Sequence, residues 1–353
     1  MRRLKHLPPK DWPAADTAAF TKAYAPGDVF DETNGPGAHH SEGWRRMVRT
    51  SYRRWLGFLS ERYPADLLRD PAERITPERV RAFVDQLSRE VRPSTIAIEI
   101  ANLYAAVRLI DPKADWRWLA SIKCRLAARA TPKNRLDRLV PAWQTLDLGL
   151  KLMEEARRLP NTSGKERDRQ YRDGLILILL SLWTIRRRSF AALTATRHLE
   201  FGPGEVNLLL YPEDTKSKRE ESFRVPDAIV PYLLHYLKVV RPRLLGGKAH
   251  DGLWASCKGC PLTACRIYDI VRARIKAAFG KDMGLHDFRR AAATFLAIEA
   301  PDQFGLIPGI LQHTSLEVGE KHYNLAQSVE ASRRYGAHLA KLRATLKPIK
   351  KKD

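Results

Sequence analysis

The sequence predicts a mainly α-helical protein of two domains, the second of which also contains a small three-stranded antiparallel sheet. Apolar residues recur at helical spacing through much of the chain. A polar, basic and proline-bearing stretch at 128–142 interrupts this pattern, as an interdomain linker does. Near residue 197 the pattern changes to short apolar runs between turn residues, which indicates strands. We therefore expect a flexible leader at 1–40, a helical domain at 41–130, a linker at 131–145 and a mixed domain at 146–353.

The first domain is predicted to be entirely helical. Its strongest helix covers Trp44–Leu59, and Arg45, Arg49 and Arg53 form a basic stripe along it at i, i+4 spacing. Such a stripe is either a solvated surface or a contact for phosphate groups. We favour phosphate contact because almost no acidic residues occupy the helix.

The second domain is predicted to begin with a helix at 146–158, followed by the most apolar segment of the chain at 175–185. That segment is too short to span a bilayer and runs into three arginines, which indicates a buried helix. Three antiparallel strands are expected at 197–201, 206–211 and 223–226. Further helices are expected at 228–240, at 264–278, near His286 and after His313.

The charge of the chain indicates a polyanionic partner. The 353 residues carry a formal net charge of +22, and the excess of basic residues occurs both before and after residue 135. Nucleic acid is the commonest partner of such a protein, although an anionic membrane surface would also attract it. The first residues lack the apolar core of a secretory signal, so we expect a cytoplasmic protein with reduced cysteines.

Three cysteines lie close together in the stretch CKGCPLTAC, at Cys257, Cys260 and Cys265. They offer a zinc ion three ligands, with His250 as the nearest fourth, whereas a structural zinc site normally has four. We therefore interpret these residues as part of a loop that leads into a helix, and we expect no metal site.

The stretch LHDFRRAAATFL places Arg289 and Arg290 in the first turn of a helix, where the helix dipole disfavours cations. An anion must compensate them. We expect Arg290 to pair with Asp287 or to support the fold, whereas the dipole and the sequence around Arg289 do not by themselves identify its anion.

The residues suited to phosphate chemistry follow one another in a definite order. An apolar helix leads into LWTIRRRSFAAL, a hairpin turn carries DTKSK, and HDFRR, LQHTS and EKHYN come afterwards. This order resembles the catalytic domain of the tyrosine recombinase (phage integrase) family. The resemblance covers roughly 146–340 and implies six catalytic residues: Arg186, Lys216, His286, Arg289, His313 and the nucleophile Tyr323. The first domain more loosely resembles the family's core-binding domain, a helical SAM-like fold.

The resemblance implies a site-specific recombinase or integrase that cuts and rejoins double-stranded DNA through a covalent 3′-phosphotyrosine. It also implies a homo-tetramer, or a hetero-tetramer with related recombinases, that serves integration or excision of a mobile element. We expect no cofactor, because two arginines can neutralise the phosphate with paired hydrogen bonds. The expected location is the cytoplasm, in association with the nucleoid.

The sequence departs from the family pattern at several positions. Ser189 stands where an acidic residue is often found, and Gln312 stands where glycine is usual. Lys218 is the alternative to Lys216 as the catalytic lysine. The amphipathic segment 328–346 either docks on a neighbouring protomer or packs on its own domain.

Two other functions stay open at this point. A type IB topoisomerase uses similar residues to relax DNA, and a non-catalytic descendant would bind DNA without cutting it. The helical first domain disfavours the topoisomerase, and the six intact positions disfavour the non-catalytic protein.

Overall fold

The computed structural model describes residues 4–27, 34–130, 136–160, 164–215 and 218–299, with side chains up to residue 296. The chain divides into two compact units between Asn134 and Arg135. Most of the described residues are helical, and three short strands in the second unit form one antiparallel sheet. The predicted fold class is therefore confirmed. Within these ranges, no helix combines the length and the apolar character that crossing a membrane requires.

The first unit consists of helices packed around one aromatic core. Its α-helices are α1 Ala14–Ala23, α2 Glu42–Arg62, α3 Pro77–Ser88, α4 Pro93–Ile110 and α5 Arg117–Arg129. Trp55, Phe58 and Phe83 form the centre of the core, where they are buried and in mutual ring contact. Helix α3 begins directly after Thr76, whose hydroxyl caps it by accepting a hydrogen bond from the Arg79 amide at 3.3 Å.

The N-terminal segment differs from the loose leader that we expected over residues 1–40. Residues 14–23 form α1, in which Phe20 and Ala23 are buried. The buried face of this helix also includes Asp16, which is fully buried. A charged residue on the inner face breaks the apolar periodicity, and this is why the pattern of the sequence does not indicate a packed helix.

A buried ionic network holds α1 against the rest of the first unit. The Asp16 carboxylate accepts hydrogen bonds from the Tyr52 hydroxyl at 2.6 Å and from Arg74 Nη1 at 2.7 Å. The other nitrogens of Arg74 donate to the carbonyl oxygens of Leu67 and Arg69. The pKa of Tyr52 is raised well above its usual value, mainly by burial of the phenol and secondly by the charge of the Asp16 carboxylate. The phenol therefore remains a donor, and the carboxylate is satisfied from both sides.

Asp16→Asn should destabilise the protein by about 3 to 5 kcal/mol, because it leaves the Arg74 guanidinium buried without its counter-charge. The free energy of unfolding from urea denaturation measures this loss. Glu73→Gln is the control, since Glu73 pairs with Arg69 at 3.7 Å on the exposed surface. The control should cost less than about 1 kcal/mol. Equal losses for the two variants would mean that Asp16 does not anchor α1.

The second unit combines helices with the sheet. Its helices are α6 Ala142–Arg158, α7 Gly164–Leu182, α8 Arg187–Ala192, α9 Val230–His235, α10 Arg241–Leu245, α11 Ala264–Phe279 and α12 Leu285–Glu299. A π-helical segment, Tyr236–Val240, joins α9 to α10, so this helical region extends beyond the predicted 228–240. The first helix, α6, begins four residues earlier than predicted, directly after Pro141.

The sheet has the order β1-β2-β3, with β1 Leu199–Gly202, β2 Glu205–Leu210 and β3 Glu221–Arg224. Leu208 pairs with Leu199 on one side and with Phe223 on the other. Gly204, in the tight turn between β1 and β2, has a φ of +77°, a conformation that favours glycine. The three predicted strands are confirmed, and the loop between β2 and β3 contains the DTKSK segment.

Candidate active site

Arg186 lies between two helices rather than at the end of one. The apolar helix α7 ends at Leu182, and the chain runs through non-helical residues before α8 begins at Arg187. Arg186 is the N-cap residue of α8, and its carbonyl oxygen accepts a hydrogen bond from the Phe190 amide at 2.9 Å. The predicted helix over 175–185 therefore ends three residues early. Arg186 is half-buried, whereas the next two arginines are exposed.

Helix α8 is held in place by the core of the second unit. Phe190 is fully buried and stacks on Trp254 with ring centroids 5.1 Å apart. The Trp254 indole also donates a hydrogen bond to the Phe190 carbonyl at 2.9 Å. The backbone that carries Arg186 is thus fixed by an aromatic pair, which suits a side chain that must be held in one position.

Arg289 lies one turn into α12 and is only 5% exposed. Its Nη1 donates a hydrogen bond to the carbonyl oxygen of Thr184, two residues before Arg186. Burial and the nearby positive charge of Arg186 lower the pKa of Arg289 to about 10, while Glu221 at the start of β3 acts in the opposite direction. The structure therefore brings two of the predicted arginines together, with one carboxylate close to them.

This arrangement of charges suits the binding of an anion. Two guanidinium groups repel each other and lose hydration when they are buried. At neutral pH, Arg289 keeps its charge, since its lowered pKa is still far above 7. A doubly hydrogen-bonded phosphate oxygen would offset the repulsion, which a neutral ligand would not do.

Asp287 fixes the first turn of α12 and compensates Arg290. One carboxylate oxygen of the buried Asp287 accepts a hydrogen bond from the Gly284 amide at 3.0 Å. The other oxygen accepts from Arg290 Nη1 at 3.2 Å. The Nη2 atom of Arg138 lies 3.6 Å from the same carboxylate. The predicted pairing of Arg290 with Asp287 is therefore confirmed.

His286 occupies the first turn of α12 and is exposed to solvent. It precedes Arg289 by three residues, so the two side chains start from neighbouring positions on the helix. The structure thus places three of the six proposed residues, Arg186, His286 and Arg289, in the second unit. Lys216, His313 and Tyr323 lie outside the described residues, as does the amphipathic segment 328–346.

The alternative lysine, Lys218, lies in the β2–β3 loop and is exposed. Its φ of +55° is uncommon for a residue with a side chain. Left-handed backbone costs such a residue about 1 to 2 kcal/mol, and such residues cluster at functional loops.

In the first unit, the basic stripe of α2 makes more contacts within the protein than its sequence indicates. Arg45 Nη2 donates to the Ala38 carbonyl at 2.6 Å, and Arg53 Nε donates to the Leu7 carbonyl at 3.2 Å. Arg49 pairs with Glu42 at 2.6 Å. All three arginines are half-buried. Arg45 and Arg53 therefore bind the backbone of the N-terminal segment, and Arg49 binds Glu42. A contact of these arginines with DNA stays a prediction.

The cysteine-rich loop does not bring metal ligands together in the part of the chain that the structure describes, where no three His, Cys, Asp or Glu side chains form a metal-binding group. Cys257 is half-buried, and Cys260 and Cys265 are exposed. The predicted helix after this loop is confirmed as α11, which Thr263 caps by accepting a hydrogen bond from the Arg266 amide.

Several residues around the arginines carry no signal in the sequence. Glu221 is near enough to Arg289 to raise its pKa, and the pairing of β3 with β2 sets its position, so this position depends on the sheet register rather than on a motif. Ser189 stands out in the sequence only as a departure from an acidic pattern. In the structure its hydroxyl donates a hydrogen bond to the carbonyl oxygen of Asp214, at the base of the β2–β3 loop.

Comparison with known proteins identifies similar sequences. No protein-family model matches the chain. The tyrosine recombinase XerD of Staphylococcus aureus (strain Mu50 / ATCC 700699) is 25% identical over 197 residues, which are 55% of this chain and 61% of XerD. XerD of Chlorobaculum tepidum is 26% identical over 102 residues, or 29% of this chain and 33% of that protein. The chain thus spans less than two thirds of the length of these relatives.

A solved structure supports the fold. The site-specific recombinase XerH, bound to a palindromic difH substrate in a post-cleavage complex, superposes with a TM-score of 0.55. The match covers 82% of this chain and 78% of XerH at 17% sequence identity. At that identity the likeness concerns the fold alone.

Proposed function

The chain is a relative of the tyrosine recombinases, and from this we propose that it is a site-specific DNA recombinase or integrase. It cuts and rejoins double-stranded DNA, through a 3′-phosphotyrosine intermediate, to integrate or excise a mobile element. The observation that carries this proposal is the convergence of Arg186 and Arg289 beside the first turn of α12. The N-terminus of a helix favours a phosphate group through its free amides and its dipole, and two guanidinium groups beside it add positive charge.

The reaction follows from the roles of the six proposed residues. The Tyr323 oxygen bonds to phosphorus while the bond between phosphorus and the 5′ oxygen breaks. The phenolic proton passes to a base, and the 5′ oxygen leaves with the bonding electron pair and is protonated. The products are a 3′-phosphotyrosine and a free 5′-hydroxyl. Attack by a 5′-hydroxyl on the same phosphorus restores the phosphodiester and releases the tyrosine, which conserves the bond energy.

The remaining groups stabilise charge and move protons. Arg186 and Arg289 bind the non-bridging oxygens, on which negative charge accumulates in the transition state. Lys216 protonates the 5′ oxygen, and His286 and His313 orient the phosphate and assist proton transfer. We propose that the arginines supply the positive charge a metal ion would otherwise provide. Cleavage should then continue in EDTA.

The basic charge of the chain fits a DNA substrate. A net charge of +22 favours contact with phosphates along both domains. We propose that the recombinase acts as a homo-tetramer, or as a hetero-tetramer with related recombinases, on two DNA sites. Its proposed location is the cytoplasm, in association with the nucleoid.

If Arg45, Arg49 and Arg53 contact phosphates, replacing all three with alanine should reduce the slope of log affinity against log salt by about 3. Fluorescence anisotropy with a labelled duplex at several salt concentrations measures this slope. A melting curve of the same variant is the control, because these arginines also hold the N-terminal segment. An unchanged slope with a lowered melting temperature would assign the three arginines to the fold alone.

Covalent capture tests the proposed function even though the target sequence is unidentified. The protein is incubated with sheared genomic DNA from the organism that encodes it, then denatured in detergent, and protein-bound DNA is precipitated and sequenced. The proposal predicts adducts that map to one or a few sites, with protein joined to the 3′ end. Adducts spread over all sequences would favour a type IB topoisomerase, and their complete absence would favour a non-catalytic DNA-binding protein.

A further inference from the structure

The base of the β2–β3 loop is fixed by more polar contacts than an ordinary hairpin requires. Asp214 lies two residues before Lys216 and is held through both its side chain and its backbone. Its Oδ2 atom accepts hydrogen bonds from His198 Nε2 and from the Tyr211 amide, each at 3.2 Å. Its carbonyl oxygen accepts a hydrogen bond from the Ser189 hydroxyl at 2.6 Å. Asp214 therefore cannot shift without breaking three hydrogen bonds.

His198 is itself held in one orientation. It is 2% exposed, and its Nδ1 atom accepts a hydrogen bond from the Thr194 amide at 3.0 Å. A nitrogen that accepts from a backbone amide carries no proton, so the ring proton resides on Nε2 and is donated to Asp214. Thr194 is anchored in turn by a β-bridge to Gly252. His198 thus connects Thr194 to Asp214 at the base of the loop.

The hydroxyl group of Thr215 joins the two ends of the same loop. Thr215 is 5% exposed, and its Oγ1 atom accepts a hydrogen bond from the Arg219 amide at 3.1 Å. The same hydroxyl donates to the Arg219 carbonyl oxygen at 2.9 Å. The residues on both sides of the span 216–218 are therefore fixed, and this span carries the two candidate lysines.

The link to the arginines runs through Ser189. This residue is three positions after Arg186 on α8, and it is 8% exposed. Its short hydrogen bond to Asp214 ties the helix that Arg186 caps directly to the base of the lysine-bearing loop. The Ser189–Asp214 hydrogen bond thus joins the helix next to Arg186 to the loop that carries the proposed proton-donating lysine.

We propose that Ser189, His198 and Asp214 form a positioning clamp that keeps the lysine of the β2–β3 loop in register with Arg186. The inference rests on the proposed function, because it assigns the clamp to the proton-donating step of DNA cleavage. Proton transfer requires the donor within hydrogen-bond reach of the 5′ oxygen, and a misplacement of about 1 Å lowers a rate by about 100-fold. None of the three residues needs to touch DNA in this role.

The clamp is tested by the rates of cleavage of two DNA substrates that carry the site recovered by covalent capture. One has the ordinary phosphodiester, and the other has a 5′-bridging phosphorothiolate, whose thiolate leaving group needs little protonation. Ser189→Ala and His198→Leu should cleave the ordinary strand about 10- to 100-fold more slowly. Both should cleave the sulfur-containing strand at nearly the wild-type rate. His198→Gln should retain most of the activity, since its amide can still donate to Asp214.

Ser181→Ala is the matched control. Its hydroxyl also bonds within the second unit, to the Leu177 carbonyl and to Thr145, away from the loop. It should affect both substrates equally. Circular dichroism and a melting curve establish that each variant is folded, and Ser189→Ala decides the question if His198→Leu does not fold.

Two results would overturn the clamp. One is Ser189→Ala cleaving the ordinary strand at the wild-type rate. The other is an equal loss on both substrates, which would assign the serine to general stability. Failure of the proposed function gives a different result, because the wild-type protein would then yield no adduct in the covalent capture and no site from which to build the two substrates.

Discussion

Arg289→Ala should lower the rate of DNA cleavage by about 10³- to 10⁵-fold, the range by which a single arginine stabilises the transition state of phosphoryl transfer. The loss should be the same on the ordinary strand and on the sulfur-containing strand. Arg289 neutralises the non-bridging oxygens, and the leaving group does not change that charge. Its burial strengthens the effect, since an interaction of charges in a dry site is stronger than in water. Single-turnover assays with each substrate give both rates.

Arg188→Ala is the control for this prediction, because Arg188 is exposed and follows Arg186 by two residues. Its rate should stay within a small factor of that of the wild type. Arg289→Lys should recover little activity, since an ammonium group cannot donate the paired hydrogen bonds of a guanidinium. Cleavage by Arg289→Ala at even a tenth of the wild-type rate would remove this arginine from the proposed site.

Lys216→Ala should cleave ordinary DNA about 10²- to 10⁴-fold more slowly than the wild type, the usual contribution of a positioned acid. It should recover on the 5′-bridging phosphorothiolate strand. A thiolate is a far better leaving group than an alkoxide, because thiols are much more acidic than alcohols. The variant lacks only the protonation of the leaving group, and the sulfur-containing strand does not need that protonation.

Lys218→Ala serves as the comparison in the same assay. If Lys216 is the proton donor, Lys218→Ala should cleave both strands at similar rates. Sulfur rescue of Lys218→Ala without rescue of Lys216→Ala would transfer the role to the residue with the left-handed backbone. An absence of rescue for both would mean that neither lysine protonates the 5′ oxygen.

Much of the fold could be predicted from the sequence because its signals are local. The caps at Thr76 and Thr263 lie directly before their helices, and a cap acts within one helical turn. The strands follow from short apolar runs and a turn with glycine at a positive φ. Helix α1 could not be predicted in this way, because the burial of Asp16 depends on Tyr52 and Arg74, which are distant in the sequence.

The candidate site was predicted less completely than the fold. Arg186, His286 and Arg289 were proposed because they occur within recognisable motifs, and their catalytic role stays a prediction. The pairing of Arg290 with Asp287 follows from i, i+3 spacing on a helix. Glu221 and the Ser189–Asp214 hydrogen bond could not be found, since each depends on how β2, β3 and α8 are arranged in space. No periodicity in the sequence encodes such contacts. The basic stripe of α2 was recognised from its i, i+4 spacing, but this spacing does not reveal that Arg45 and Arg53 bond to backbone carbonyls.

The residue that becomes joined to DNA identifies the nucleophile of the proposed reaction. The covalent adduct formed on the captured site is digested with protease and nuclease, and the modified peptide is sequenced by mass spectrometry. We predict a phosphodiester link to Tyr323, and we predict that Tyr323→Phe binds the same DNA but forms no adduct. A modified peptide that contains Tyr335, the next tyrosine along the chain, or an adduct that persists in Tyr323→Phe, would show that Tyr323 is not the nucleophile.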